Sequence, residues 1–387
     1  MSKLDELIQE LCPDGVEYFN VKELTKKKTI KTITPSIKIK RNDYQENGIT
    51  PIISQELEYI SGYCDFTDNS IPKNNYVCFG DHSEHIKFVD FAFVQGADGL
   101  KIMSLDEEKL MAKFFYYAIS SFYVRHNNYE RHFKYLNETE IPVPPLEVQR
   151  EIVRILDSFT LLTAELTAEL IARKKQYEYY RDYLLTHKTH IVENKKISDI
   201  ADIYLGLTYT PTYVESGITF ISSQNISNDY LNLTNVKYIS EEEYKKCTSN
   251  AKPKKGDILF TRVGSNLGHP TIIETNIPLC IFVSLGYLRV KEGICNRYIK
   301  HWMNSDFFWS QVRKKTQNSP KVNLNSGWMR DFDIAIPPLN IQEKIADVLD
   351  NFDTICSDLS SGLPAEIEAR QKQYEFYRDK LLTFKQL

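Results

Sequence analysis

The chain has 387 residues, 42% of them hydrophobic and 26% charged, enough for two or three domains with substantial cores. No run approaches the roughly 18 apolar residues of a membrane span, and the opening MSKLDELIQELCPDG carries charge through its apolar run, unlike a signal peptide. Seven cysteines without a CxxC pair argue against a zinc ribbon or disulfide framework and fit reduced thiols in a cytoplasmic protein, and a net charge of −4 argues against bulk attraction to nucleic acid.

The charges are nevertheless segregated. Between Lys22 and Arg41 stand eight Lys/Arg, including Lys26, Lys27, Lys28, Lys38, Lys40 and Arg41, and one acid, Glu23. Next comes FGDHSEH, with Asp81, His82, Glu84 and His85. These are metal-ligand types, but no matching ligands occur elsewhere, so the stretch reads as a polar loop and a candidate to face DNA. EIPVPPL, from Glu140, predicts a short strand that stops and a helix that starts near Pro145 or Leu146, because the residue before proline avoids the α region and proline suits a first helical turn.

From there Ile152, Leu156, Phe159, Leu162, Leu166, Leu170 and Tyr177 recur at steps of three and four. That is the pattern of a coiled-coil seam, and it predicts a helix from about Leu146 to His187, about 60 Å long. Residues 161–172, LLTAELTAELIA, repeat one tetrapeptide of good helix formers, as a spacer would. The alternative is an amphipathic helix packed on its own domain. Further basic clusters follow at Lys245–Lys255, at Arg262, and at Arg313–Lys315 with Lys321.

The chain is written twice. IPVPPLEVQREIVRILDSF from Ile141 recurs as IAIPPLNIQEKIADVLDNF from Ile334, and KKQYEYYRDYLLTHK from Lys174 recurs as QKQYEFYRDKLLTFK from Gln371. Fainter echoes join GITPIISQ at Gly48 to GITFISSQ at Gly217, and PKNNYVCFG at Pro72 to PKKGDILFT at Pro253. A whole domain is duplicated. The predicted layout is a globular part over 1–145, a spacer helix over 146–189, a second globular part over 190–337 and a second helical segment over 338–387. Ile345, Leu349, Phe352 and Tyr374 carry the second seam. Gly362 and Pro364 interrupt it and predict a break that heals near Ala365. The expected fold class is α+β: two similar α/β heads separated by two long antiparallel helices in a coiled coil, with a pseudo-two-fold axis.

No P-loop, GxGxxG, HExxH, GxSxG or zinc-deaminase pattern is present, so the chain reads as non-catalytic, with no metal or cofactor of its own. Two heads on a rod suit two sites a fixed distance apart, and DNA is the natural ruler. Candidate DNA contacts are Lys26, Lys27, Lys28, Lys38, Lys40, Arg41, His82, Arg125, Arg131 and Lys134 in the first head. In the second they are Lys254, Lys255, Arg262, Ser265, Asn266, Lys315 and Lys321. Cations would set register on phosphates, and polar side chains would read base edges.

The order of head, IPxPPLxxQxxIxxxLD helix, second head and repeated helix resembles the specificity subunits of Type I restriction–modification enzymes. LTAELTAEL followed by RKKQYEYYRD is similar to the subgroup with tetrapeptide repeats in its first conserved helix. The resemblance implies two target recognition domains, each reading half of a split, asymmetric site, and helices that fix the gap and dock two methyltransferase subunits. It implies S-adenosylmethionine, ATP and magnesium on the partner subunits, the last two with the restriction or translocase subunits. A methylation-only system and a coiled-coil scaffold without a nucleic-acid role are the competing readings. A fused methyltransferase is disfavoured by the missing donor-binding glycine loop and Asn/Asp-Pro-Pro-aromatic motif.

Overall fold

A computed structural model describes residues 2–65, 70–96, 98–186, 192–227, 230–263, 267–316, 323–358 and 361–387. The chain divides into two compact units, Met1–Glu165 with Glu368–Leu387, and Leu166–Ile367. The division cuts through helices, so each unit contains helical segments from both copies of the repeat.

In the first unit an antiparallel sheet runs in the order Ile30–Ile33, Leu100–Leu105, Tyr76–Gly80, Ile86–Val89. The strand YVCFG is buried throughout, as its β-branched and aromatic content favours. A smaller sheet, Gly62–Cys64, Thr50–Ile53, Val94–Gln95, ends in a parallel pair. The second unit repeats this plan. One four-stranded sheet is Ala201–Leu205, Leu285–Val290, Ile258–Thr261, Gly268–Ile272, and a second, also of four strands, again ends in a parallel pair, Ile218–Ile221 with Leu279–Ile281. The helices Ala112–Phe122 and Asn296–Met303 supply corresponding core residues. A two-stranded ribbon closes each head, Tyr18–Asn20 with Glu140–Pro142 and Glu193–Lys196 with Asp333–Ile336.

The prolines after each ribbon end the strand and open a helix. The first runs from Leu146 to Leu185, 40 residues; it starts where expected, and the expected end, His187, lies outside the described residues. The second runs from Leu339 to Ser357, breaks, and resumes over Leu363–Leu382, two residues earlier than expected. Pro364 falls in the first turn of the new helix, where its missing N–H leaves no bond unmade. Gly362 is buried at the break, and a Cβ there would lie 2.6 Å from the Thr354 carbonyl oxygen.

Corresponding polar residues hold each helix to its head. Buried Gln149 accepts from the Met111 N–H at 2.9 Å and donates to the carbonyls of Lys109 and Pro144. Buried Gln342 does the same with Cys295, Gly293 and Pro337. One turn or two further on, Asp157 takes Lys113 and Tyr117 at 2.8 and 2.6 Å, and Asp350 takes Arg297 and His301 at 2.7 Å each.

The other copy's tail completes each core. In the first unit Leu382 joins Ile152 and Leu156 in the head core, and Tyr374 packs against Tyr117. In the second, Leu185 joins Ile345 and Leu349, and the Tyr177 hydroxyl lies 3.1 Å from His301 Nδ1. The seam expectation is corrected accordingly. Ile152, Leu156, Ile345 and Leu349 belong to head cores, which they share with Leu382 and Leu185 of the other copy's helix, while Phe159 and Phe352 of the expected seam stack on Tyr377 and Tyr180. Leu162, Leu166 and Leu170 are only partly buried. A stripe at steps of three and four has the same spacing whether its partner is a helix or a sheet-and-helix core.

Candidate nucleic-acid interface

The basic run of the first head splits into two groups. Lys26, Lys27 and Lys28 close the short helix Val21–Lys26, and the Lys27 ammonium sits 3.5 Å over the Phe19 ring, on the ribbon that leads to the long helix. The strand Ile30–Ile33 then carries the chain to a second group. There Lys38 pairs with Asp98 at 2.6 Å, Arg41 pairs with Glu56 at 3.1 Å, and Lys40 is exposed.

A continuous set of hydrogen bonds ties this second group to FGDHSEH. Gln55 donates to the Asp98 carbonyl at 3.2 Å and accepts from the His82 N–H at 3.1 Å, and the Ser83 hydroxyl donates to the Gln55 carbonyl. His82 Nδ1 in turn lies 2.9 Å from the carbonyl oxygen of Glu130, whose carboxylate receives Lys134 at 2.7 Å. The structure therefore links Lys38, Arg41, His82 and Lys134 in one region, with Arg125 and Arg131 exposed on the loop between them. Lys26–Lys28 belong to the other group.

Asp81, His82, Ser83 and Glu84 of FGDHSEH act as braces. Asp81 accepts from the Phe133 N–H at 2.9 Å and faces the Lys101 ammonium at 3.6 Å. Glu84 is buried, and burial works to raise its pKa. The Tyr123 hydroxyl and the N–H groups of His126 and Asn127 outweigh that and hold the carboxyl below its usual range. His85 is pushed the other way from a charged ring by burial, with Arg125 adding to the effect. Among the described residues no group of three or more His, Cys, Asp or Glu could hold a metal ion.

In the second head Lys254 and Lys255 edge a cleft of about 580 Å³ shared with Arg289, Asn296, Arg297 and Glu343. The two arginines are already engaged, Arg289 with Asp257 at 2.9 and 2.7 Å and Arg297 with Asp347 and Asp350. Lys315 and Lys314 border another cleft, of about 790 Å³, with Phe307, Trp302 and Asp333. Arg262 requires a correction. Its guanidinium donates to the carbonyls of Leu324 and Val283 at 3.2 and 2.9 Å and is partly buried, so it braces the loop after the strand Ile258–Thr261. Ser265, Asn266 and Lys321 lie outside the described residues.

Tyr129, 91% exposed, is not among the candidate contacts, and Lys314, counted only within the basic cluster Arg313–Lys315, borders the same cleft as Lys315. A lone tyrosine in a polar loop carries no spacing signal. Gln149, Gln342, Asp157 and Asp350 also went without a role, although their recurrence at one offset marks polar positions that both heads require.

A profile of the Type I restriction modification DNA specificity domain matches residues 13–174 and again 191–369. The chain belongs to this family. It is 32% identical to the specificity subunit of the EcoR124I/EcoR124II type I restriction enzyme of Escherichia coli, over 99% of this chain and 98% of that one. A putative type I specificity subunit of Mycoplasma pneumoniae is 34% identical over 62% of this chain and 92% of its own length. In fold, the S subunit of a type I restriction–modification system from M. genitalium matches with a TM-score of 0.58 at 15% identity, over 96% of this chain and 97% of that one. The role common to the family is DNA sequence specificity, which needs surfaces rather than catalytic groups. No helix among the described residues is long and apolar enough to cross a membrane.

Proposed function

We propose that the chain is the DNA-reading subunit of a complex that recognises a two-part, asymmetric site, one part per head. The observation that carries this reading is the repeated exchange of helical tails. Phe159 with Tyr377 and Phe352 with Tyr180 make the same stack in the two units. Each head is thus built on helices from both copies, so the two heads are completed in the same way, as two readers of one kind would be.

On this reading Lys38, Lys40, Arg41, Arg125, Arg131 and Lys134 meet the duplex in the first half-site, with His82 beside them. Lys26–Lys28 serve as a separate phosphate contact. Lys254, Lys255 and Lys315 act in the second, together with Ser265, Asn266 and Lys321. Cations position the duplex and polar groups discriminate bases. The first long helix, with its TAEL repeat, sets the number of unread base pairs between the halves. The helical segments also dock two methyltransferase subunits, which bring S-adenosylmethionine. Restriction subunits that use ATP and magnesium join them, and this chain contributes no reacting group.

The experiment is long-read mapping of methylated adenine in the native host with and without this reading frame. Loss of one two-part motif on deletion is the expected result. Loss of a motif with a single uninterrupted part, or loss of none, contradicts the reading.

A further inference from the structure

The loop Val124–Arg131 of the first head is built with more care than a connection needs. Glu84, itself at a left-handed φ of 58°, turns a carboxylate only 4% exposed into the base of the loop. It accepts from the Tyr123 hydroxyl at 2.6 Å, from the His126 N–H at 2.9 Å and from the Asn127 N–H at 2.8 Å. Asn127 stands at φ 55°. Fully buried His132 reaches the Asp81 carbonyl at 3.1 Å with one ring nitrogen and the Asn128 side chain at 2.7 Å with the other. Glu130 closes the far side with Asn128, Lys134 and Tyr135.

The loop is ordered by its acids and presents its cations. The carboxylates of Asp81, Glu84 and Glu130 are all engaged within the head, whereas Arg125 and Arg131 are exposed. Val124, where the loop begins, is 75% exposed, and Tyr129 is 91% exposed with its ring stacked on His82, centroids 5.3 Å apart and planes at 17°. An apolar ring held outward between arginines, on a braced loop, matches a polyanion with flat apolar faces between its charges. That is duplex DNA, where cations take phosphates and a tyrosine in the groove meets base edges, its ring against a thymine methyl and its hydroxyl on a donor or acceptor.

Resting on the DNA-reading function above, we infer that this loop is the element of the first head that enters the duplex. Tyr129 is its specificity-determining residue and Glu84 is a positioning residue that acts through the loop backbone. Arg125 and Arg131 seat the loop on the flanking phosphates.

The test uses the full chain in its native host, with methylated adenine mapped for Tyr129→Ala and Glu84→Gln. The expected result for Tyr129→Ala is a roughly tenfold or greater loss of discrimination at one or two positions of one half-site. The other half-site and the gap stay unchanged. Glu84→Gln should relax the same half-site less, because the amide oxygen still accepts from the loop. A general structural defect would weaken methylation at all sites without moving the preference within one half. Complete loss of methylation from a Tyr129→Ala chain that melts at the wild-type temperature also supports the contact. An unchanged motif, relaxation of both half-sites, or a lowered melting temperature for Tyr129→Ala overturns the inference. If deleting the whole reading frame leaves the methylome unaltered, the DNA-reading function itself fails. A motif that depends on the chain but ignores Tyr129 sinks only the loop.

Discussion

The ring of Phe159 stacks on that of Tyr377 with centroids 5.5 Å apart and planes at 21°. The corresponding pair of the second unit, Phe352 and Tyr180, repeats the arrangement at 5.8 Å and 22°. Neighbouring features repeat as well. Phe376 and Tyr377 meet edge-on at 5.4 Å as Tyr179 and Tyr180 do, and Arg378 and Arg181 both bond the aspartate that follows them. A duplicated sequence has produced a duplicated set of contacts in which each copy supplies the other's partner.

Breaking either stack should therefore have similar effects. In a double-mutant cycle with Phe159→Leu and Tyr377→Leu, the coupling should be about 1 kcal/mol, the usual worth of an aromatic pair beyond its buried area. The Phe352 and Tyr180 cycle should give a similar value from urea midpoints. Coupling in one cycle and none in the other would show that the repeat is not energetic.

Gln149→Leu and Gln342→Leu should each cost on the order of 3 kcal/mol. Each substitution leaves a buried N–H and the carbonyls of one loop without their partner, and an unsatisfied buried group costs about 1–3 kcal/mol. Denaturant titration would show it. A loss below about 0.5 kcal/mol at either site would mean that the loops relax or that water replaces the amide.

Deleting Thr167–Leu170 removes about 6 Å of helix and about one turn. Because four residues nearly restore the same face, both heads should remain folded while the unread gap shortens by roughly one to two base pairs. Adenine-methylation mapping reads this directly, and an unchanged gap would remove the spacer role from the repeat.

Acid should weaken the fold through its carboxylate braces. Beside Arg154 and Lys3, Glu151 is held down at about 2. Glu84 lies below its ordinary value of 4.5 and Asp350 below 3.8, in both cases because hydrogen bonds outweigh burial. A folded-state pKa below the unfolded one gives stability that is fully present above the unfolded value and is lost as pH falls through the folded value. Urea midpoints should thus lose nothing to these groups between pH 7 and pH 5.5 and should fall steadily below about pH 4.5. A midpoint that rises between pH 4.5 and pH 3 would contradict these assignments.

The duplication, the start of the first long helix at Leu146 and the break of the second beside Pro364 were legible because each rests on local chemistry. Prolines, helix formers and a repeated offset need no knowledge of tertiary partners. What Leu156 and Leu349 touch was not legible, since a stripe of leucines specifies burial without specifying against what. The sheets of the heads were legible only as faint echoes. For the site, a run of lysines is continuous along the chain but is divided in space by the strand Ile30–Ile33. Arg262 stands near a basic cluster in the sequence, which does not show that its guanidinium is spent on two backbone carbonyls. Glu84 stood out as a polar oddity, and its role depended on Tyr123 and His126, about 40 residues away.

If two separate heads read two separate half-sites, either head can be exchanged without disturbing the other's half. Replacing residues 190–335 with the corresponding segment of a relative of different specificity, and mapping methylated adenine in cells carrying the exchanged chain, tests it most directly. The expected motif takes the relative's sequence in one half-site and keeps the other half-site and the gap. A motif changed in both halves would contradict it.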